Sequence, residues 1–163
     1  MPRLNVEDQL YTPIQQDRVP NPDVPEERPQ WNARVLSEIE KHEPEFCECA
    51  RIGKRSLSWA PWVPGVSSNP GSAADRNNLE FAHEHVYFEG SGHNVGYGPK
   101  GLFGEDVPSK GYRFEDTCYD GSLMRRALGR ISSIGDYSFF FNNCQDFANK
   151  VRESYRELIG AKK

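Results

Sequence analysis

Residues Tyr137 to Ile159 (YSFFFNNCQDFANKVRESYRELI) constrain the fold of this 163-residue chain more than any other stretch. Tyr137, Phe139, Phe140 and Phe141 form a short aromatic run, which suits a strand better than a helix. Asn142 and Asn143 break the run. Either can cap a helix, and Asn142 with Gln145 three residues on has the spacing of a capping box. Phe147, Ala148, Val151, Tyr155, Leu158 and Ile159 then recur at helical spacing, and Gly160 is a natural stop. Cys144 falls on the same apolar face, in the first turn. The N-terminal end of a helix carries partial positive charge and favours thiolate over thiol, so a cysteine placed there can act as a nucleophile without a metal. The competing reading of Cys144 is a small, inert core residue.

The length predicts a single domain with a proper core. Charged residues make up 27% and the net charge is -4, which argues against broad nucleic-acid affinity. No apolar run approaches 18 residues and the start shows no signal-peptide pattern, so no membrane span is expected. The four cysteines include Cys47 and Cys49, too close together to bridge each other easily. Reduced thiols and a cytoplasmic setting are therefore expected.

Residues 1–30 carry Pro2, Pro13, Pro20, Pro22, Pro25 and Pro29 among polar residues and are predicted to form an extended arm or linker, with the domain proper spanning 31–163. A helix is expected over 31–42, where Trp31, Val35, Leu36 and Ile39 share a face. His42, Cys47 and Cys49 lie close together, but their spacing is not that of a zinc site and Pro44 breaks the helix that would orient them; no metal or cofactor is expected. Residues 52–71 read as an irregular loop holding Trp59 and Trp62 at the domain edge.

FAHEHVYFEGSGHNVGY, residues 81–97, reads as a hairpin. On the first strand His83, His85, Tyr87 and Glu89 point to one face, and Val86 and Phe88 to the other; Gly90 to Gly92 turn, and His93 to Tyr97 run back. Three of the four histidines lie here. A histidine beside a helix-capping cysteine would make a nucleophile–base pair; the plainer reading is a solvated histidine face. The glycines at 96, 98, 101 and 104 match neither the dinucleotide fingerprint nor the P-loop and read as a flexible turn at the rim of the site. A short strand is expected within 107–114. A helix is expected over 121–134 on Leu123, Met124, Ala127, Leu128, Ile131 and Ile134, with Arg125, Arg126 and Arg130 as solvated surface.

A histidine strand (His85 in HVYFEG), then a helix, then Asn143-Cys144 in NNCQDFANKV resembles the circularly permuted papain-like group, which includes the PPPDE peptidases and the lecithin retinol acyltransferase-like proteins. GYGPKGLF, CYDGSLMRRAL and NNCQDFA together also resemble C-terminal toxin domains of bacterial type VI and Rhs-type effectors. The resemblance covers roughly residues 80–160. It implies an α+β, papain-like fold: an antiparallel sheet packed on a helix that carries the cysteine at its N-terminus. It implies a cysteine hydrolase, a protease or amidase, with Cys144 as nucleophile, His85 as general base and then acid, and an acyl-thioenzyme intermediate. Backbone N–H groups at the helix start would hold the oxyanion, with Asn142 or Asn143. In a regular hairpin the positions opposite His85 lie near Gly96 to Gly98, and His93 and Asn94 are on the order of 10 Å along the sheet. Either an irregular hairpin lets one of them orient His85, or the site is a dyad; His83 is the reserve base. The alternatives are an acyltransferase or lipid hydrolase on the same pair, and a non-catalytic binding module. The toxin resemblance implies a protein or peptide substrate, a cognate immunity protein, and delivery into a target cell by a secretion system.

Overall fold

The computed structural model describes residues 18–43, 47–56, 73, 82–105, 111–131, 133–138 and 142–161. The fold is α+β: one sheet of antiparallel pairs with helices against one face. Chain order is α1 (Arg28–Lys41), β1 (Cys49–Ser56), β2 (Ala82–Phe88), β3 (Asn94–Gly98), β4 (Gly101–Phe103), β5 (Arg113–Phe114), β6 (Tyr119–Asp120), α2 (Gly121–Gly129) and α3 (Cys144–Gly160). The sheet runs β4-β3-β2-β1-β5, with β6 also pairing with β1.

Strand parity explains the two-sided sheet. Ile52 lies opposite Val86 and Ala50 opposite Phe88 on β1 and β2, while Val86 lies opposite Val95 on β3. These side chains share one face and form the core with Tyr97, Leu102, Met124, Leu128, Phe147 and Val151. The helices lie on this face. α3 presents Phe147, Ala148, Val151, Tyr155 and Leu158 to it, whereas Ile159 is exposed. α1 is pinned by Trp31, whose Nε1 donates to the Leu102 carbonyl at 2.8 Å. The alternate positions, Gly53, Arg55, His83, His85 and Gly96, occupy the other face.

Several expectations are corrected. Residues 49–56, read in part as loop, form β1, the strand that β2, β5 and β6 all pair with. α1 begins at Arg28, inside the expected arm, behind a 3-10 turn at Pro25–Glu27. Its proline is tolerated because first-turn amides have no intrahelical acceptor. α2 stops at Gly129, and Ile131 and Ile134 reach the core from the segment that follows. Arg125 is not surface. It is 1% exposed, lies 4.0 Å over the Phe88 ring, and donates Nη2 to Glu48 Oε2 at 2.7 Å. Cys49 and Cys118 are not free thiols; they form a disulfide across Cα atoms 5.1 Å apart. In the expected aromatic strand, Ser138 and Asn142 bridge each other, and residues 139–141 lie outside the described set. Trp59, Trp62 and residues 1–17 of the arm also lie outside it. Among the described residues no helix is long and apolar enough to cross a membrane.

Candidate functional site

Cys144 opens α3, as its position after the asparagine pair suggests. The cap is Asn143, not Asn142. Its Oδ1 accepts from the Gln145 and Asp146 amides at 2.9 and 3.2 Å, and the Asp146 carboxylate accepts from the Asn143 amide at 3.0 Å, completing a capping box. Asn142 faces backward instead, with Nδ2 donating to the Ile134 and Asp136 carbonyls at 2.7 Å each. The Asn142 amide N–H groups are thus committed to backbone carbonyls, and the Asn143 oxygen to the helix cap. Of the first three amides of α3, the cap engages the second and third and leaves that of Cys144.

The thiol lies inward. Cys144 is 3% exposed and donates to the Ala82 carbonyl at 3.3 Å. Burial raises its pKa to about 12; the Glu84 N–H and the helix-start amides of Cys144 and Gln145 pull it down, and the Glu84 carboxylate pushes it up again. No imidazole is among these groups. Cys144 reaches β2 at the end where its pairing with β3 has run out, because the ladder between them stops at His85 opposite Gly96. A buried ion pair holds the approach: Arg152 of α3 donates Nη2 to Glu84 Oε1 at 3.2 Å and to Glu115 Oε1 at 2.5 Å.

His83 and His85 project from the other face of β2, and the structure does not bring either into hydrogen-bonding contact with Cys144. They contact each other, His83 Nε2 to His85 Nδ1 at 2.8 Å. The positions flanking His85 on both neighbouring strands are glycines, Gly53 and Gly96. A Cβ on Gly96 would overlap the His85 ring, so glycine there gives the imidazole its space. The register predicted for Gly96 is the one observed.

Sequence reasoning missed the rest of this cluster. The Tyr112 hydroxyl donates to Glu105 Oε2 at 2.8 Å and lies 3.0 Å from His85 Nδ1. Arg55 Nη2 donates to Glu105 Oε1 at 2.6 Å, and Arg55 Nε to the Tyr112 oxygen at 3.2 Å. The phenol proton goes to the carboxylate, and His85 Nδ1 lies within hydrogen-bonding distance of both the Tyr112 oxygen and His83 Nε2, the tautomer setting which of them donates. Among the described residues His85 Nε2 is buried without a hydrogen-bond partner. Burial lowers the pKa of His83 to about 3 and of His85 to about 4; the neighbouring His85 and Arg55 charges lower His83 further, and Glu105 works against the fall at both. Both rings are neutral at pH 7.

The remaining candidates lie apart. His93 packs edge-on against His42, ring centroids 4.5 Å apart. Asn94 does not hydrogen-bond the His85 ring within ordinary geometry; its Nδ2 donates to the Glu105 carbonyl at 2.7 Å and its Oδ1 accepts from the Glu105 amide at 2.7 Å. It thereby positions the carboxylate that serves Tyr112. Among the described residues no group of three or more His, Cys, Asp and Glu side chains is arranged to hold a metal ion.

No protein-family model matches the chain, no curated protein matches it, and no solved structure matches it.

Proposed function

We propose that the chain is a cysteine-dependent hydrolase of peptide or amide bonds, with Cys144 as nucleophile and the His83–His85 pair as proton acceptor, and that the described conformation is its closed form. One observation carries the reading. Among the described residues the thiol donates to the carbonyl of Ala82, the residue before His83, so a single strand segment separates nucleophile from base. Activation requires the thiol to leave the Ala82 carbonyl and pass the open end of the β2–β3 ladder toward the imidazoles. The thiolate would then add to the substrate carbonyl, and the imidazolium would protonate the departing amine. The Cys144 N–H, left unengaged by the cap, would donate to the oxyanion. Papain-like architecture is part of this proposal and rests on the order of the histidine strand and the cysteine helix. An effector role with a cognate inhibitor protein rests on the sequence resemblance alone.

A specific observation favours a second reading, a non-catalytic binding module. The thiol is buried, hydrogen-bonded to a carbonyl and raised to about 12, the state of an inert core cysteine. The test compares wild type, Cys144→Ala and His85→Gln on a cell lysate by mapping new protein termini. Hydrolysis predicts discrete new termini with wild type and none with either variant. Identical maps for all three, with Cys144 in the native protein alkylated no faster than after unfolding-corrected exposure, would establish the binding module.

A further inference from the structure

On the helix-covered face, a cavity of about 230 Å³ lies between the first turns of α1, the β3–β4 turn and the Ile131–Tyr137 segment. Its apolar wall includes Leu36 and Ile134; its polar wall consists chiefly of Arg28, Asn32, Tyr97, Asp136 and Tyr137. The polar groups that lack protein partners are mostly donors. Asn32 is 7% exposed, and its Oδ1 is taken by the Leu102 amide at 2.8 Å. Its Nδ2 has no hydrogen-bond partner among the described residues. Arg28 donates Nε to the Pro22 carbonyl at 3.0 Å and carries both Nη groups free of protein partners among the described residues. The Asp136 carboxylate and, less strongly and in the opposite sense, the Arg28 charge act on the Tyr97 phenol. The Tyr97 hydroxyl already donates to the Gly135 carbonyl at 2.9 Å, whereas the Tyr137 hydroxyl has no protein partner among the described residues.

We infer that this cavity binds a carboxylate attached to an apolar group. A guanidinium fork matches a carboxylate in two parallel hydrogen bonds, and the Asn32 amide N–H, open to the cavity, is placed to donate another. One arginine with Asp136 on the rim suits a single negative charge and disfavours a phosphate dianion. Leu36, Ile134 and the two tyrosine rings accept the apolar part. Binding needs no thiol chemistry, so it stands apart from the hydrolase reading. Where that reading holds, Tyr137, whose phenol is raised by burial and by the neighbouring Cys144, makes this the recess for the acid end of a substrate or product.

The probe is N-acetyl-L-phenylalanine, titrated by amide chemical-shift NMR into the full chain, with its neutral amide and inorganic phosphate as controls. The acid binds wild type and Cys144→Ala equally, shifting Arg28, Asn32 and Tyr137. The amide binds at least about tenfold more weakly, as expected for loss of a charge-assisted hydrogen bond, and phosphate does not compete. Arg28→Gln weakens the acid by a similar factor, and Arg28→Lys, which keeps charge without the fork, falls between. Equal affinity for acid and amide, competition by phosphate, absence of shifts at these residues, or full affinity in a folded Arg28→Gln protein each overturns the proposal. Loss in Cys144→Ala alone would also overturn it, by making the thiol part of the binding site.

Discussion

Removing Arg152 tests what seats α3 on the sheet. Its guanidinium is 4% exposed, and Glu84 beneath it is 0% exposed. Arg152 also reaches Glu115, through Nε at 3.0 Å, and Asn149, through Nη1 at 3.1 Å. Burial disfavours the charged guanidinium, yet the two carboxylates hold its pKa well above the ordinary arginine range. Arg152→Met keeps the aliphatic packing and removes the charge, leaving Glu84 in the interior without this partner. Breaking a buried pair from one side costs about 3–5 kcal/mol. For a chain of this size that lowers Tm by on the order of 10 °C. Denaturant unfolding of Arg152→Met, Glu84→Gln and the double variant forms a cycle. The double variant recovers part of the loss, because the uncompensated charge is gone, and the coupling energy is about 1 kcal/mol or more. A single-variant loss below about 1 kcal/mol, or strict additivity, would refute the claim that this pair is desolvated and coupled. Glu84 directly follows His83, so a refuting result would also remove the support for where Cys144 meets β2.

Other outcomes follow from the same geometry. The lowered pKa values of His83 and His85 make the unfolded chain bind more protons than the folded one between about pH 6.5 and the folded values near 3 to 4. Stability therefore falls as pH drops through that window, by about 1.4 kcal/mol per pH unit per imidazole. Urea midpoints at pH 7 and pH 5 measure it, and a pH-independent difference between wild type and His85→Gln contradicts it. The Cys49–Cys118 disulfide spans a sequence separation of 69, so its removal by paired serine substitution costs about 4 kcal/mol. A thermal melt unchanged by reductant would rule out that cross-link. Gly96→Ala forces a methyl into the His85 ring and costs about 1–3 kcal/mol. Unchanged stability would mean that the ring does not lie over the glycine. Tyr112→Phe removes the donor to Glu105 and the contact to His85. Its loss is read as a changed His85 titration by NMR, and an unaltered titration would exclude the Tyr112–His85 contact.

Local chemistry in the sequence determined the Cys144 helix and the histidine hairpin. Helical spacing from Phe147 to Leu158 and an asparagine before Cys144 were enough to place a helix with that cysteine in its first turn, because caps and periodicity act over a few residues. Alternation in HEHVYF assigned the histidines to one face and Val86 and Phe88 to the other, and the short turn set Gly96 opposite His85. What the tertiary structure decided was which face meets the helices. The apolar face won, since burying Val86 and Phe88 requires α3 to lie over them, and the thiol then meets the backbone of β2 at the Ala82 carbonyl rather than hydrogen-bonding either imidazole. The Arg55–Glu105–Tyr112 cluster was equally illegible, because its members are 50 and 57 residues from Arg55 and meet only through sheet pairing. The Cys49–Cys118 disulfide, separated by 69 residues, was illegible for the same reason. Spacing along a chain reports only neighbours within a turn or a hairpin, whereas long-range contacts are set by how the sheet closes over its core.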